Sequence, residues 1–460
     1  MRVSRIVLAM ETELANSVTL DDALRLSALA REVLEIAFAR GASQAEVSIN
    51  EDIGLAVNVR MGEVETVERT RDRGVSVTVY FGQRKASAST ADLQPASLVA
   101  TVDQARAIAK FTEADPAAGL ADAGLMARDL ADFDLFHPWA IDADRAIALA
   151  IAAEDRGRAS DPRISNSDGA AVNTGESLSV YANSHGFSGF ERGTSHSISC
   201  SLIAGRDDGM QRDYWYTTAL DPDQLDSPAS VGKRAAERTV ARLDPRPIRT
   251  GEMPVLFAPE VARSLIGHLL GAVSGGALYR RASFLLDSVG TQLFPDWFWI
   301  HEDPFVRRGF RSASFDAEGV ATRKQDLVRD GVLSRYVLGS YSARKLGLQT
   351  TANAGGVHNL SVAANGGGFD QMLARLGDGL LVTELMGQGV NTMTGDYSRG
   401  AAGFLVQGGR IVHPVDEATI AGNLRGMFRD IQAVGSDVDP RSHIQVGSIL
   451  VGKMTVAGAG

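Results

Sequence analysis

Histidine and cysteine, the side chains zinc sites draw on most, are few in this chain. Its eight histidines stand at 137, 185, 196, 268, 301, 358, 413 and 443, and no two of them lie three to five residues apart. A zinc hydrolase of the HExxH type needs two imidazoles one turn apart on one helix face, with a carboxylate beside them as general base. The stretch APEVARSLIGHLLGAVSGGALYR, residues 258–280, has the apolar backing of such a helix but offers His268 alone. Residues distant in sequence can also converge on a metal, and His358, His413 and His443 are the set such a site would draw on. The simpler reading of each is a satisfied core or surface imidazole. His301-Glu302-Asp303 is followed by Pro304, which breaks any helix there and removes it as a metallopeptidase motif. Cys200 sits in a strand pattern and reads as a small buried hydrophobe rather than a nucleophile. The segment Thr394-Gly395-Asp396-Tyr397-Ser398-Arg399-Gly400 is the densest polar cluster of the second half. It either shapes a binding site or is a hairpin connection whose glycines serve the backbone. No GxGxxG follows a strand, and neither a phosphate-binding P-loop nor a GxSxG elbow occurs.

The elements that must position these residues follow from periodicity. Pro259 suits a first helical turn, and Val261, Leu265, Leu269 and Val273, with Ala262, Ile266 and Leu270, have helical spacing. The pattern predicts a buried helix of about four turns. Its other stripe is Ser264, Gly267 or His268, Gly271, then Ser274 or Gly275. Each interior glycine costs a helix roughly 1 kcal/mol relative to alanine, so glycines four apart predict a close approach to that side. Before this helix, residues 1–18 read as a loose lead-in. A helix is expected from Thr19 with Asp22 completing a cap, and Gly41 stopping it. Alternation then predicts short strands at 45–49, 55–59, 64–67, 74–80 and 85–89, a helix at 95–111 and irregular chain over 114–138. A helix at 143–154, strands at 177–181, 186–192, 195–203 and 210–217, and a helix at 228–243 follow. Three prolines in LDPRPIRTGEMP mark the best domain boundary. Beyond the 258–280 helix, Asp330-Gly331 predicts a hairpin turn, Ser340–Leu346 a short helix, and 382–412 a strand, a Gly-rich connection, a strand, a hairpin and a strand. Trp297, Phe298 and Trp299 are core by alternation, or an interface anchor.

The chain has 460 residues, enough for two or three domains at roughly 150 residues each. Apolar residues make up 44%, charged residues 22%, and the net charge is -10. That balance is ordinary for a globular protein and argues against direct nucleic-acid binding, since no Lys or Arg run forms a basic patch. The single cysteine excludes an intrachain disulfide and any CxxC metal site. The apolar run near the N-terminus is too short for a signal-peptide core, and no run of 18 apolar residues occurs. A cytoplasmic protein without a membrane role is the expectation.

The stretches FLLDSVGTQLFPDW, SYSARKLGL, AGGVHN and VTELMGQGVNTMTGDYSRGAAGF closely resemble the PmbA (TldE) family, as do GEVETVERTRDRGVSVTVY and FDLFHP. The resemblance covers nearly the whole chain. It implies an α+β protein. A two-layer N-terminal domain over 19–246, an antiparallel-rich sheet with helices on one face, has a possible subdivision near 114–140. A mainly-β, barrel-like C-terminal domain over 247–460 carries a few helices. It implies one subunit of a TldD/TldE zinc metallopeptidase that degrades or trims peptides and unfolded segments, matures peptide-antibiotic precursors and turns over antitoxins. In the TldD sister an HExxxH helix and a late cysteine hold zinc. The matching segments put Gly267 at the first histidine, His268 at the catalytic glutamate, Ala272 at the second histidine and Val446 at the cysteine. Three ligand positions would thus lack donors. The implied metal is then none in this chain and Zn in a TldD-type partner, with this chain a homodimer when isolated.

Three readings follow. The first is a non-catalytic subunit required for assembly, whose Gly267, Gly271 and Gly275 face admits a partner's backbone or packs on its own core. Asp396, Tyr397, Ser398 and Arg399, with Gly271 and Gly275, are its candidate substrate or partner contacts. Under this reading Gly271→Leu weakens assembly with the partner. The second is a self-sufficient metallopeptidase with a metal site from distant residues. The third is a protein-binding adaptor, a modulator of DNA gyrase, with no proteolysis.

Overall fold

A computed structural model describes residues 17–458. The chain forms two compact units. The first comprises residues 17–204, 212–238 and 313–322, and the second comprises 205–211, 239–312 and 323–458.

In the first unit, helix α1 (Leu20–Ala39) starts at a reciprocal cap. The Asp22 amide donates to the Thr19 hydroxyl and the Thr19 amide to the Asp22 carboxylate, both at 3.1 Å. Gly41, at φ +89°, ends it. Of the expected lead-in, residues 1–16 lie outside the described residues, while Val18 is buried and its amide donates to Glu176. Strand β1 (Gln44–Arg60) and β2 (Glu63–Phe81) follow, joined by Met61 and Gly62, both at positive φ, the geometry of a two-residue hairpin turn. Next come β3 (Arg84–Thr90), α2 (Pro95–Ala109), α3 (Ala143–Arg158), β4 (Ile164–Asn183), β5 (Ser188–Ala204), β6 (Gln211–Ala219) and α4 (Pro228–Ala241). They build one six-stranded sheet in the order β3-β2-β1-β4-β5-β6.

The separate short strands expected from alternation are a correction. The segments 45–49 and 55–59 are one strand, as are 64–67 and 74–80, and 177–181 lies inside β4. Polar residues such as Asp52 and Arg71 interrupt the alternation, yet the backbone ladder runs through them: Ile53 faces Arg71 and Gly54 faces Thr70. Helices cover a single sheet face, because the odd-numbered residues of β1 point to it throughout. Ala45, Val47 and Ile49 pack with Leu26, Val33, Leu98 and Val102 of α1 and α2. Leu55, Val57 and Val59 pack with Ala146, Ala150, Val231 and Ala235 of α3 and α4. Where α3 and α4 touch, no side chain fits: a Cβ on Gly232 would stand 1.9 Å from the Ala153 carbonyl. The segment 313–322 completes this unit. Phe315 stacks edge-on with Phe187 at 5.1 Å, and the Ala131 amide donates to the Ser314 hydroxyl at 2.8 Å.

The second unit contains β7 (Gly251–Phe257), α5 (Pro259–Ala272), α6 (Gly275–Tyr279), β8 (Ile300–Asp303), β9 (Gln325–Arg329), β10 (Val332–Leu333) and α7 (Ser340–Lys345). It continues with β11 (Asn359–Val362), α8 (Phe369–Leu376), β12 (Gly379–Met386), β13 (Asp396–Gln407) and β14 (Arg410–Asn423). It ends with α9 (Leu424–Arg429), β15 (Ile431–Val434), β16 (Ile444–Gln445) and β17 (Ile449–Ala457). Strands β14, β13, β12, β7 and β17 hydrogen-bond in that order, and β14 pairs back to β17 at Thr419–Ala421, which closes a five-stranded barrel. A second sheet runs β10-β9-β8-β11-β16.

The expected hairpin at Asp330-Gly331 forms, with both residues at positive φ. Helix α5 also forms, burying Ala262, Leu265, Ile266, Leu269 and Ala272 in the main core. It stops at Ala272, so Gly275 is not on its face but opens a separate helix capped by Ser274. Phe298 joins that core against Phe294, whereas Trp299 is exposed. The architecture is the expected α+β fold, a sheet with helices on one face and a mainly-β barrel unit.

Candidate functional site

The chemically unusual part of α5 is the side it turns away from the core. Gly267 and Gly271 are exposed there, and a Cβ at either would meet no atom within 4 Å. The close approach that the glycines suggested is therefore absent within this chain, and packing on its own core is ruled out for these two positions. At Gly275 the approach is real, since a Cβ there would fall 2.2 Å from the Ser342 hydroxyl.

His268 lies between the two open glycines. Its ring meets Tyr397 edge-on, with centroids 5.8 Å apart and planes at 77°. Tyr397 is 1% exposed, on the inward face of β13. Arg399 is two residues further along the same strand and therefore on the same face. Three polar atoms of this trio, His268 Nε2, Tyr397 Oη and Arg399 Nε, are shielded from water and make no well-formed hydrogen bond, with Arg399 standing beside the Tyr397 hydroxyl and drawing its pKa down. Each such group costs roughly 1–3 kcal/mol when left unmade. Burial, then the Arg399 charge, holds the His268 imidazole below its usual range, so it is neutral near pH 7. Burial pushes the Tyr397 hydroxyl up to about 12, against a downward pull from Arg399. Among the described residues Arg399 makes no ion pair.

The pleat separates the other expected contacts from this trio. Asp396 and Ser398 are exposed on the opposite face of β13. Asp396 accepts from the Thr394 hydroxyl at 2.7 Å and from Asn423 at 3.2 Å, which hold its carboxyl below the usual range. The Ser398 amide donates to the Gly389 carbonyl at 2.7 Å. The cluster read as a possible hairpin connection is thus largely strand: from Asp396 onward it pairs with β14. Its positive-φ glycine is Gly395, just before the strand.

The positions that the sequence resemblance aligns with zinc ligands supply no donors. Gly267 has no side chain, Ala272 is fully buried, and Val446 is 1% exposed in the same core cluster as Ala272. A zinc ion takes N, S or O donors from side chains, so these residues do not fit one. The alternative set does not form a three-ligand site either: His443 lies near enough to His358 to feel its charge, but no third donor joins them. His358 Nδ1 is taken by Glu302 at 3.0 Å, and His413 Nδ1 lies 3.0 Å from the Pro414 carbonyl. Among the described residues no group of three or more His, Cys, Asp or Glu side chains is placed to hold a metal ion.

Sequence reasoning missed a buried charged network. Glu302 is fully buried in β8 and accepts from the Arg335 guanidinium, from Asn353 at 2.9 Å, and from the His358 amide at 2.7 Å. Burial pushes the Glu302 carboxyl up, but the His358 hydrogen bonds and the Arg335 charge outweigh it and leave the carboxyl below its usual range. The available signal was parity: Ile300 and Glu302 alternate with half-buried neighbours, so the glutamate had to point inward with Ile300.

Cys200 is buried, as expected, and burial followed by the Glu154 charge pushes its thiol up to about 12. At pH 8 that leaves roughly one thiolate in ten thousand, against about one in four for a free thiol. Iodoacetamide should leave the native chain unmodified under conditions that alkylate it fully in denaturant, as intact-mass spectrometry would show.

Comparison with known proteins finds relatives along most of the chain. Family models for the first, central and C-terminal domains of PmbA/TldA metallopeptidases match residues 45–109, 136–243 and 250–458. Metalloprotease PmbA of Escherichia coli O157:H7 is 49% identical over 414 residues, covering 90% of this chain and 92% of that one. A solved structure from Bacteroides thetaiotaomicron, a candidate modulator of DNA gyrase, superposes with a TM-score of 0.89 at 25% identity, covering 94% and 98% of the two chains. TldE from Thermococcus kodakarensis shares the fold, with a TM-score of 0.82 at 19% identity over 94% and 100%. The matched models span the barrel unit, the helix-covered sheet and the α5 region alike, and the chain belongs to the PmbA/TldD metallopeptidase family.

Proposed function

We propose that this chain is the donor-free subunit of a two-chain peptidase whose TldD-type partner holds the zinc. The observation that carries this reading is the want of donors at the three aligned ligand positions: open Gly267 and buried Ala272 on α5, and buried Val446 just after β16. A hydrolytic zinc centre works by lowering the pKa of its bound water, and that requires donors these positions lack. What the chain offers instead is a side-chain-free strip of helix beside unsatisfied polar groups. Such a strip suits a wall along which a peptide lies while the partner cuts it. Peptides and unfolded segments are the substrates in this reading, and the compartment is the cytoplasm. Among the described residues no helix is long and apolar enough to cross a membrane.

The test is reconstitution. The purified chain, a purified TldD-type chain and their mixture are assayed on an unfolded peptide library, with metal content measured on each. Cleavage confined to the mixture, abolished by a chelator and restored by zinc, is the expected result. Stoichiometric zinc on this chain alone, together with chelator-sensitive cleavage, would falsify the proposal.

A further inference from the structure

The trio beside α5 has a chemical bias that the family reading does not use. All three unsatisfied atoms belong to groups able to donate: a phenol, a guanidinium and a neutral imidazole whose proton is free to sit on Nε2. Among the described residues no carboxylate forms a hydrogen bond with them. Asp396 faces the other side of β13 and is held by Thr394 and Asn423. Glu384, at the end of the adjacent β12, is bonded to Arg242. The site therefore carries one uncompensated positive charge, with hydrogen-bond donors already dry. Beside it lies the strip at Gly267 and Gly271, where the helix leaves room for another backbone. His268 and Arg399 are each only partly buried, and His268 stands between the two open glycines along α5.

We infer that Arg399, Tyr397 and His268 receive a carboxylate of a bound peptide whose backbone lies along the Gly267 and Gly271 strip. Carboxylate is the fitting ligand because guanidinium and phenol donors bond it in short, charge-assisted fashion. The carboxylate belongs to the peptide's C-terminus or to an Asp or Glu side chain. This inference rests on the peptide-wall reading above, and it adds the substrate class: peptides carrying a negative charge at a fixed place.

Binding, rather than cleavage, tests it. Three fluorescent heptapeptides of Gly, Ser and Leu are titrated into the full-length chain and followed by anisotropy. One has a free C-terminus, one is its amide, and one is the amide with a single internal Glu. The free acid or the Glu peptide should bind roughly tenfold more tightly than the plain amide, as expected for a charge-assisted pair. Preference for the free acid alone assigns the site to a chain terminus, and binding of the Glu peptide assigns it to a side chain. Arg399→Gln should bring all three within about twofold of one another, and Arg399→Lys should keep part of the preference. Tyr397→Phe, which removes only the hydroxyl, should weaken the charged peptides alone. Equal binding of acid and amide by the native chain would overturn the inference, as would an unchanged preference in Arg399→Gln with a native melting curve. Inorganic phosphate binding as tightly as the acid peptide would also overturn it. No cleavage is needed here, so failed binding leaves the reconstitution result standing, and failed reconstitution leaves the binding preference standing.

Discussion

Glu302→Ala should lower the melting temperature of the barrel unit by roughly 6–20 °C. Removing one partner of a buried pair costs about 3–5 kcal/mol because the other charge stays buried and unanswered. For a unit of this size each kcal/mol shifts melting by roughly 2–4 °C. Here the stranded group is Arg335, whose guanidinium bonds Glu302 and Asn353 and whose Nε already lacks a partner. The His358 amide and the Asn353 side chain lose their acceptor as well. Differential scanning calorimetry resolves the effect if the two units melt separately, and the transition of the helix-covered sheet should stay in place. The double variant Glu302→Gln with Arg335→Met should recover part of the loss, because no charge is then left behind. The pH dependence has a definite sign. The folded carboxyl is held below its unfolded value, so its contribution is complete above the unfolded carboxylate pKa and is lost as the pH falls through the folded one. Glu302→Gln should therefore flatten the acid limb of the stability curve, and an unchanged acid limb would refute this account.

Gly271→Leu should cut the peptidase kcat/KM of the reconstituted mixture by at least about tenfold while leaving this chain as stable as before. Nothing within 4 Å of Gly271 resists a side chain, and leucine is a better helix former than glycine by nearly 1 kcal/mol. Any loss must then come from what the strip receives, since an isobutyl group would stand where another backbone is meant to lie. The open geometry moves the expected defect from packing within this chain to docking upon it. A rise in KM with the assembly intact on a sizing column means that the substrate uses the strip. A parallel loss of co-purification means that the partner uses it. Native activity and native assembly together would show that the strip receives nothing.

Much of this was legible in the sequence, and what was not has physical causes. Helix α5 could be read because its apolar spacing and Pro259 are local signals. The reversal at Asp330-Gly331 could be read because turn chemistry is local too. Strand length in the first unit could not, since Arg69, Arg71 and Asp72 interrupt the alternation while the hydrogen-bond ladder runs on beneath them. The trio of His268, Tyr397 and Arg399 was half visible. Tyr397 and Arg399 stand out in the polar cluster of the second half, but their union with His268 depends on which face of the strand turns toward α5, and Asp396 and Ser398 fall on the other. The Glu302 network was invisible as chemistry because Arg335, Asn353 and His358 stand 33 to 56 residues beyond the glutamate. Only the parity of Ile300 and Glu302 hinted at it.

The contribution of residues 313–322 to the first unit has a consequence for synthesis at the ribosome. Phe315, which fills the space beside Phe187 and Tyr181, emerges only after the chain has passed the proline-marked boundary and begun the barrel. The N-terminal half therefore cannot finish folding when its own contiguous sequence is complete. It waits, with an aromatic gap unfilled, for a segment encoded within its neighbour. A fragment cut at that boundary should be soluble only if the 313–322 segment is supplied to it.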